Sequence, residues 1–126
     1  MPESRDDPTI LDSDPLWRRI HPSWLVDDGK GGRRLSTAAF ENSPDGTGTS
    51  VTLGRDAQIA GVTPRKILER FPERRLASVA AGVCRANKQI LVRDPEPEDP
   101  HHALIDGEKP KSVRRALSNA ASLIDG

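Results

Sequence analysis

The hydrophobic positions of the chain fall into short runs, and most of these runs alternate with polar residues, as half-buried strands do. We predict strands or extended segments at residues 24–26, 34–40, 49–53, 76–84, 89–93 and 101–106. The run 76–84 is apolar on both alternating faces, which favours a central strand, although its alanines also favour a helix. We choose the strand because Gly82 lies inside the run and because Val79 and Val83 are β-branched.

Two segments have helical spacing instead. Thr63 and Pro64 form a helix start, and apolar residues at 67, 68 and 71 give one apolar side before Pro72 ends the helix. Pro110 begins a longer amphipathic segment at the C-terminus. Its apolar stripe comprises Val113, Ala116, Leu117, Ala120, Leu123 and Ile124, and its polar face comprises Arg114, Arg115, Ser118 and Asn119. Pro15 permits either a helix start or a strand over residues 14–20.

The order of these elements predicts an α+β fold. We expect a small, mostly antiparallel sheet of five or six short strands, with one short middle helix and one C-terminal amphipathic helix packed on it. Residues 1–12 are acidic and have no apolar face, so they are predicted to be a disordered tail. Residues 13–126 then form a single domain, which suits a chain of 126 residues.

Composition limits both the core and the partners. The only aromatic residues are Trp17, Trp24, Phe40 and Phe71, so the tryptophans are expected to belong to a core built mainly of aliphatic side chains.

The 19 basic and 19 acidic residues cancel, which argues against nucleic acid and membrane partners. Cys84 is the single cysteine, which excludes a cysteine-cluster zinc site and fits a reducing compartment. The cytoplasm is therefore the expected location.

The charges are segregated into blocks, and one block coincides with the start of the C-terminal helix. Lys109, Lys111, Ser112 and Arg114 lie where the free backbone N–H groups already carry partial positive charge. Cations at this end of a helix make sense if an anion is also present, so these four residues are a candidate anion-binding site. The anion is either an external phosphate or carboxylate, or the acidic loop at 94–99 folding back, and we favour the loop.

The histidines and one arginine supply weaker catalytic candidates. His21 or His101 could do acid–base work, and Arg34, which is followed by hydroxyl residues, could bind a phosphate. Adjacent strand residues point to opposite faces, so only one of His101 and His102 can join His21. No HExxH or comparable histidine spacing occurs, so structural histidines are the better hypothesis, and we predict neither a metal nor a cofactor.

Three stretches carry a resemblance to a known group of proteins. LWRRIHPSW, RRLSTAAF and VRDPEPEDPHHALIDGEKPKSVRRAL together resemble a family of short, uncharacterised bacterial proteins. The resemblance covers most of residues 16–124 and implies a bacterial cytoplasmic context. It implies no activity and no site residue.

The sequence therefore predicts a small binding or regulatory module that recognises another protein or a small anionic ligand through its charged patches. The alternative is a phosphate-directed enzyme, such as a nuclease or a nucleotide-modifying toxin. In that case His21 or His101 would act as acid–base, and Arg34, Lys111 and Arg114 would neutralise the phosphate. The sequence does not define an oligomeric state.

Overall fold

The protein is built around one antiparallel sheet, seen in a computed structural model that describes residues 6–44 and 46–124. The strands are β1 (Pro15–Ile20), β2 (Leu25–Asp27), β3 (Arg33–Leu35), β4 (Thr49–Leu53), β5 (Arg75–Ala80), β6 (Ile90–Arg93), β7 (His102–Asp106) and β8 (Ser122–Ile124). The helices are α1 (Gly54–Ile59), α2 (Pro64–Arg70), α3 (Ala81–Ala86) and α4 (Lys111–Ala120), and 3-10 turns lie at Pro22–Trp24 and Thr37–Phe40. Six strands form the sheet in the order β6-β7-β4-β1-β5-β8, and β2 pairs with β3 separately. The predicted α+β class with an antiparallel sheet is confirmed.

The two faces of the sheet differ because successive residues of β1 point to opposite sides. Leu16 and Ile20 point to the first face, which is the hydrophobic core. The core on this face also includes Phe40, Val51, Val79, Cys84, Leu91, Ile105 and Leu117. Trp17 points to the second face, where the strand register sets it beside Thr52 and sets Thr52 beside His102. This second face carries the candidate functional site.

The predicted strand at 76–84 is wrong in its second half. β5 ends at Ala80, and α3 begins at Ala81. The N–H groups of Ala81 and Gly82 donate to the carbonyl oxygens of Asp14 (3.0 Å) and Asp12 (2.9 Å). These two bonds satisfy donors in the first turn of α3 that have no partner within a helix. The N-terminal segment thus supplies the helix start that the local sequence lacks.

Other local predictions had mixed outcomes. The strands at 49–53, 90–93 and 102–106 and helix α2 are confirmed, as is the strand alternative for residues 15–20. Residues 54–59, for which no helix or strand was predicted, form helix α1. The predicted segment 34–40 divides into β3 and a 3-10 turn, and Trp24 ends a 3-10 turn ahead of β2.

Helix α4 is shorter than its apolar stripe predicted. Leu123 and Ile124 belong to β8, which pairs with β5 at the edge of the sheet. Ser118, predicted on the polar face, is buried, and its hydroxyl donates to the carbonyl oxygen of Ser36 at 3.0 Å.

Helix α4, the longest of α1 to α4, has ten residues. No helix of the described residues is long and apolar enough to cross a bilayer.

Residues 6–12 lie against the sheet, which differs from the disordered tail predicted for 1–12. Ile10 is 1% exposed and belongs to the core. The N–H of Asp7 donates to the carbonyl oxygen of Leu91 at 2.8 Å, so the segment runs beside β6. Residues 1–5 lie outside the described residues.

Candidate ligand pocket

A pocket of about 480 Å³ lies on the second face of the sheet, between α2 and the acidic loop at 94–99. We call it the α2 pocket. Its apolar lining comes from Val62, Ile67, Phe71 and Pro100, and Arg19 and Thr52 reach it from β1 and β4. Its volume falls within the range of about 300–1,000 Å³ that small-molecule sites occupy.

Helix α2 supplies one wall of the pocket. The helix begins because Pro64 has the right backbone geometry and because the Thr63 hydroxyl accepts a hydrogen bond from the N–H of Lys66 at 3.2 Å. Lys66 and Arg70 are four residues apart and therefore lie on the same side of the helix, facing the pocket. Arg70 Nη1 donates to the carbonyl oxygen of Glu98 at 2.9 Å, which ties α2 to the acidic loop.

Arg19 is the central cation of the pocket. Its guanidinium carbon lies 4.1 Å from the centroid of the Phe71 ring, in a cation–π contact. Burial lowers the pKa of Arg19, and the positive charges of Arg74 and Arg70 lower it further, while the acidic loop, mainly through Asp99, acts in the opposite direction. Within residues 6–44 and 46–124, the guanidinium of Arg19 forms no ion pair or hydrogen bond. The direct contact of its charge among these residues is therefore the aromatic ring of Phe71 and not a carboxylate.

Two further arginines add to the positive charge at this end of the sheet. Arg18 donates from Nε to the carbonyl oxygen of Ala39 and from Nη1 to that of Ser50, both at 2.9 Å. Burial, together with Arg19 and Arg74, lowers the pKa of Arg18 to about 10. Arg74 Nε is buried and lies 3.5 Å from Glu73 Oε1 without hydrogen-bond geometry. The cations here repel one another and have few compensating partners.

The acidic loop forms the opposite wall. Glu96 and Asp99 exchange backbone hydrogen bonds of 3.0 and 3.1 Å, which close a turn. The carboxylate of Asp99 accepts from the Thr52 hydroxyl at 2.6 Å and from the N–H of His101 at 3.0 Å. Asp99 is thus fixed by the sheet, whereas the carboxylates of Glu96 and Glu98 are exposed at the rim.

The predicted catalytic residues do not come together. His101 lines the α2 pocket, but His21 and Arg34 do not. His21 is exposed, and its Nδ1 accepts from the N–H of Ser23 at 3.1 Å at the start of a 3-10 turn. Arg34 is exposed on the separate β2–β3 hairpin.

The predicted anion site at the start of α4 is also divided. Lys109 turns inward, where its Nζ donates to Asn42 Oδ1 (2.5 Å) and to the carbonyl oxygen of Ile105 (2.6 Å). Arg114 lies 3.6 Å from Glu41 Oε1. The loop at 94–99, which we predicted to be the anionic partner of these cations, packs against α2 instead. The carboxylate that lies near Arg114 is that of Glu41. Lys111 and Ser112 are exposed.

The N-terminal acidic block pairs within the protein. Arg85 bridges Asp6 (2.9 Å) and Asp12 (2.7 Å), and Arg93 contacts Asp7 at 3.0 Å. The aspartates of this block therefore have cationic partners within the fold. The α2 pocket is where cations and acids face each other across open space.

Of the residues that line this pocket, the sequence predicted only His101 as a site candidate. Arg19, Lys66 and Arg70 were not predicted as site residues, and Phe71 was predicted as an apolar residue of the middle helix. One available signal was the four-residue spacing of Lys66 and Arg70 on a helix that the sequence predicts. Another was the alternation of LWRRI, which sends Arg18 and Arg19 to opposite faces. Neither signal shows that α2 packs over Arg19.

Comparison with known proteins adds no information on function. The chain matches no protein-family model, no curated protein and no solved structure. The resemblance to a short bacterial family stays a prediction, and the functional argument rests on the geometry of the α2 pocket.

Proposed function

We propose that this protein is a small binding module whose α2 pocket holds a small organic anion. The observation that carries this proposal is Arg19, a half-buried guanidinium at the pocket wall with no carboxylate partner among the described residues. A charge removed from water without a partner is costly. A bound carboxylate or phosphate would offset that cost through charge-assisted hydrogen bonds.

The lining of the pocket supports a ligand with an apolar body. Val62, Ile67 and Phe71 offer aliphatic and aromatic surface next to the cations. A guanidinium that rests on an aromatic ring keeps its N–H groups available in its own plane, where they can bind two oxygens at once. The expected ligand therefore joins one anionic group to a hydrophobic or aromatic part.

The acidic rim limits the total negative charge of the ligand. Glu96, Glu98 and Asp99 line the same pocket, and they would repel a chain of phosphates. The pocket thus suits a molecule with one carboxylate or phosphate group, with or without an amine, better than a nucleic acid. The phosphate-directed enzyme has less support, because His21 and Arg34 do not line the pocket that contains His101.

The proposal is tested by titrating the protein with phenyl phosphate and with benzoate while amide resonances are followed by NMR. We expect shifts centred on α2 and residues 98–102. Arg19→Met keeps apolar contact with Phe71 and should weaken binding about tenfold, the value of one charge-assisted hydrogen bond. Arg65→Met is the matched control, because Arg65 is an exposed cation of α2 outside the pocket lining.

Three results would contradict the proposal. One is the absence of shifts at millimolar ligand. Another is a set of shifts centred on Lys111 and Arg114, which would favour the start of α4. The third is equal weakening by Arg19→Met and Arg65→Met, which would indicate unspecific attraction. Unfolding in urea shows whether both variants remain folded, so that a lost fold is not mistaken for a lost site.

A further inference from the structure

Three side chains at the edge of the α2 pocket form a cluster, and the anion proposal uses only one of them, Glu96, as an acidic residue of the rim. His102 lies on β7 with its side chain 7% exposed, and its Nδ1 is 3.2 Å from Asp94 Oδ2 and 3.9 Å from Glu96 Oε2. One ligand atom from each of the three residues lies within 4.8 Å of the others. The carbonyl oxygen of Asp94 is also 2.9 Å from Nδ1.

The number of acceptors in this cluster exceeds the number of donors. Three oxygens converge on His102 Nδ1, which can carry a single N–H. Whichever oxygen accepts that hydrogen, the other two face a ring nitrogen that has nothing left to donate. A protonated His102 would offset one negative charge of the two carboxylates, and one would remain. A divalent cation could bind all of these atoms at once and neutralise both carboxylates.

The distances suit a metal of the zinc type. Zinc–nitrogen and zinc–oxygen bonds of about 2.0–2.2 Å in a tetrahedral site separate neighbouring ligand atoms by roughly 3.3–3.6 Å. The separations of 3.2 and 3.9 Å to His102 Nδ1 bracket this range. Asp94 and Glu96 are exposed and free to adjust, whereas His102 is held by the register of β7 beside Thr52.

We propose that Asp94, Glu96 and His102 bind a divalent transition metal, for which Zn²⁺ is the probe. An imidazole nitrogen with two carboxylates is a ligand set that zinc, manganese or iron accepts, whereas calcium prefers oxygen ligands alone. The metal takes the place of the hydrogen on His102 Nδ1. A neutral ring binds the metal as the tautomer with its single hydrogen on Nε2, and a protonated ring releases its Nδ1 proton to solvent. Three protein ligands leave at least one coordination position for water or for a ligand of the neighbouring pocket.

The test uses the full chain and the metal alone, so its outcome does not depend on the anion proposal. We expect calorimetry with ZnCl₂, after removal of metal with EDTA, to give one site per chain. Asp94→Asn and Glu96→Gln should each weaken binding about tenfold or more, since each removes a charged ligand atom. Glu98→Gln is the matched control and should stay within about twofold, because Glu98 lies on the same loop outside the cluster.

A second measurement identifies the histidine directly. The Nδ1 resonance of His102 should move on addition of Zn²⁺, while those of His21 and His101 should not. This readout does not require a His102 variant, which could fail to fold because His102 is buried. The proposal is wrong if no saturable binding occurs at millimolar Zn²⁺, or if Glu98→Gln weakens binding as much as Glu96→Gln. It is equally wrong if Ca²⁺ binds as well as Zn²⁺ without moving the His102 resonance.

Discussion

Arg18 and Arg19 are neighbours in the sequence that occupy different environments because they lie on opposite faces of β1. Arg18 donates to two backbone carbonyl oxygens, of Ala39 and Ser50, and so has a structural role. Arg19 meets an aromatic ring and open space. Strand alternation predicts the opposite orientations. It cannot predict which arginine finds acceptors, because those acceptors lie 21 and 32 residues away along the chain.

Lys109 is a half-buried cation whose charge should show in the pH dependence of stability. Burial lowers the pKa of Lys109 to about 8, from 10.5, despite an opposite effect of Asp106. Between these two values the unfolded chain binds more protons than the folded protein at this site. The free energy of unfolding contributed by Lys109 therefore rises as the pH increases from about 8 to 10.5.

Urea unfolding of the native protein and of Lys109→Met at several pH values measures this effect. The free energy of unfolding of the native protein, minus that of Lys109→Met, should increase from about pH 8 to 10.5, because a methionine side chain cannot titrate. A difference that stays constant would contradict the prediction. It would mean that the oxygens of Asn42 and Ile105, which accept from the Lys109 ammonium, keep it protonated throughout.

At the level of elements, α2 shows how a local signal can position a site. The Thr63 cap and Pro64 are sufficient to predict this helix, and the structure confirms it. Thr63→Ala should cost about 1 kcal/mol of stability, because the N–H of Lys66 loses its acceptor. The same change should weaken binding of phenyl phosphate, since the first turn of α2 presents Lys66 to the pocket.

The control for the cap is Thr63→Ser, which keeps a hydroxyl acceptor at the same position. This variant should retain most of the stability and the affinity. Equal losses in Thr63→Ser and Thr63→Ala would show that the methyl group of Thr63 matters and not its hydrogen bond. Urea unfolding and the NMR titration together separate the two cases.

Elements that depend on distant partners could not be predicted in the same way. The boundary between β5 and α3 is set by hydrogen bonds from Ala81 and Gly82 to the N-terminal segment. A Cβ atom at Gly82 would lie 3.0 Å from the Cβ of Asp12, so glycine permits that close approach. The local sequence showed an apolar run with a glycine, which fits either a strand or a helix start. The choice is made by residues far away along the chain, in the N-terminal segment.

At the level of the whole molecule, the fold class was predictable and the site was not. Alternation and helix starts are local, and they predicted β4, β6, β7 and α2 within a residue or two. The α2 pocket requires α2, β1 and the loop at 94–99 to meet, which is a matter of tertiary packing. The Asp94, Glu96 and His102 cluster was missed for the same reason, because the loop must fold back before its carboxylates reach β7.

The composition of residues 1–12 predicted a disordered tail, but residues 6–12 are packed on the sheet. A composition is an average over the segment, whereas the packing here depends on a single residue. Ile10 is fully buried in the core, while the aspartates around it pair with Arg85 and Arg93. The surface ion pairs contribute little by themselves, about 0–1 kcal/mol each. The burial of Ile10 is therefore the main contribution that holds the segment in place.

Ile10→Ala and Leu11→Ala test whether this segment is part of the fold. The two residues are adjacent, but Ile10 is 1% exposed and Leu11 is 50% exposed. Ile10→Ala should lower the free energy of unfolding by about 2–4 kcal/mol, because it removes buried carbon atoms and leaves a cavity, whereas Leu11→Ala should change it by about 0.5 kcal/mol or less. Urea unfolding followed by tryptophan fluorescence, to which the buried Trp17 contributes, measures both changes. If the two variants were equally stable, the segment would not be packed in solution, and α3 would lose the acceptors that fix its first turn.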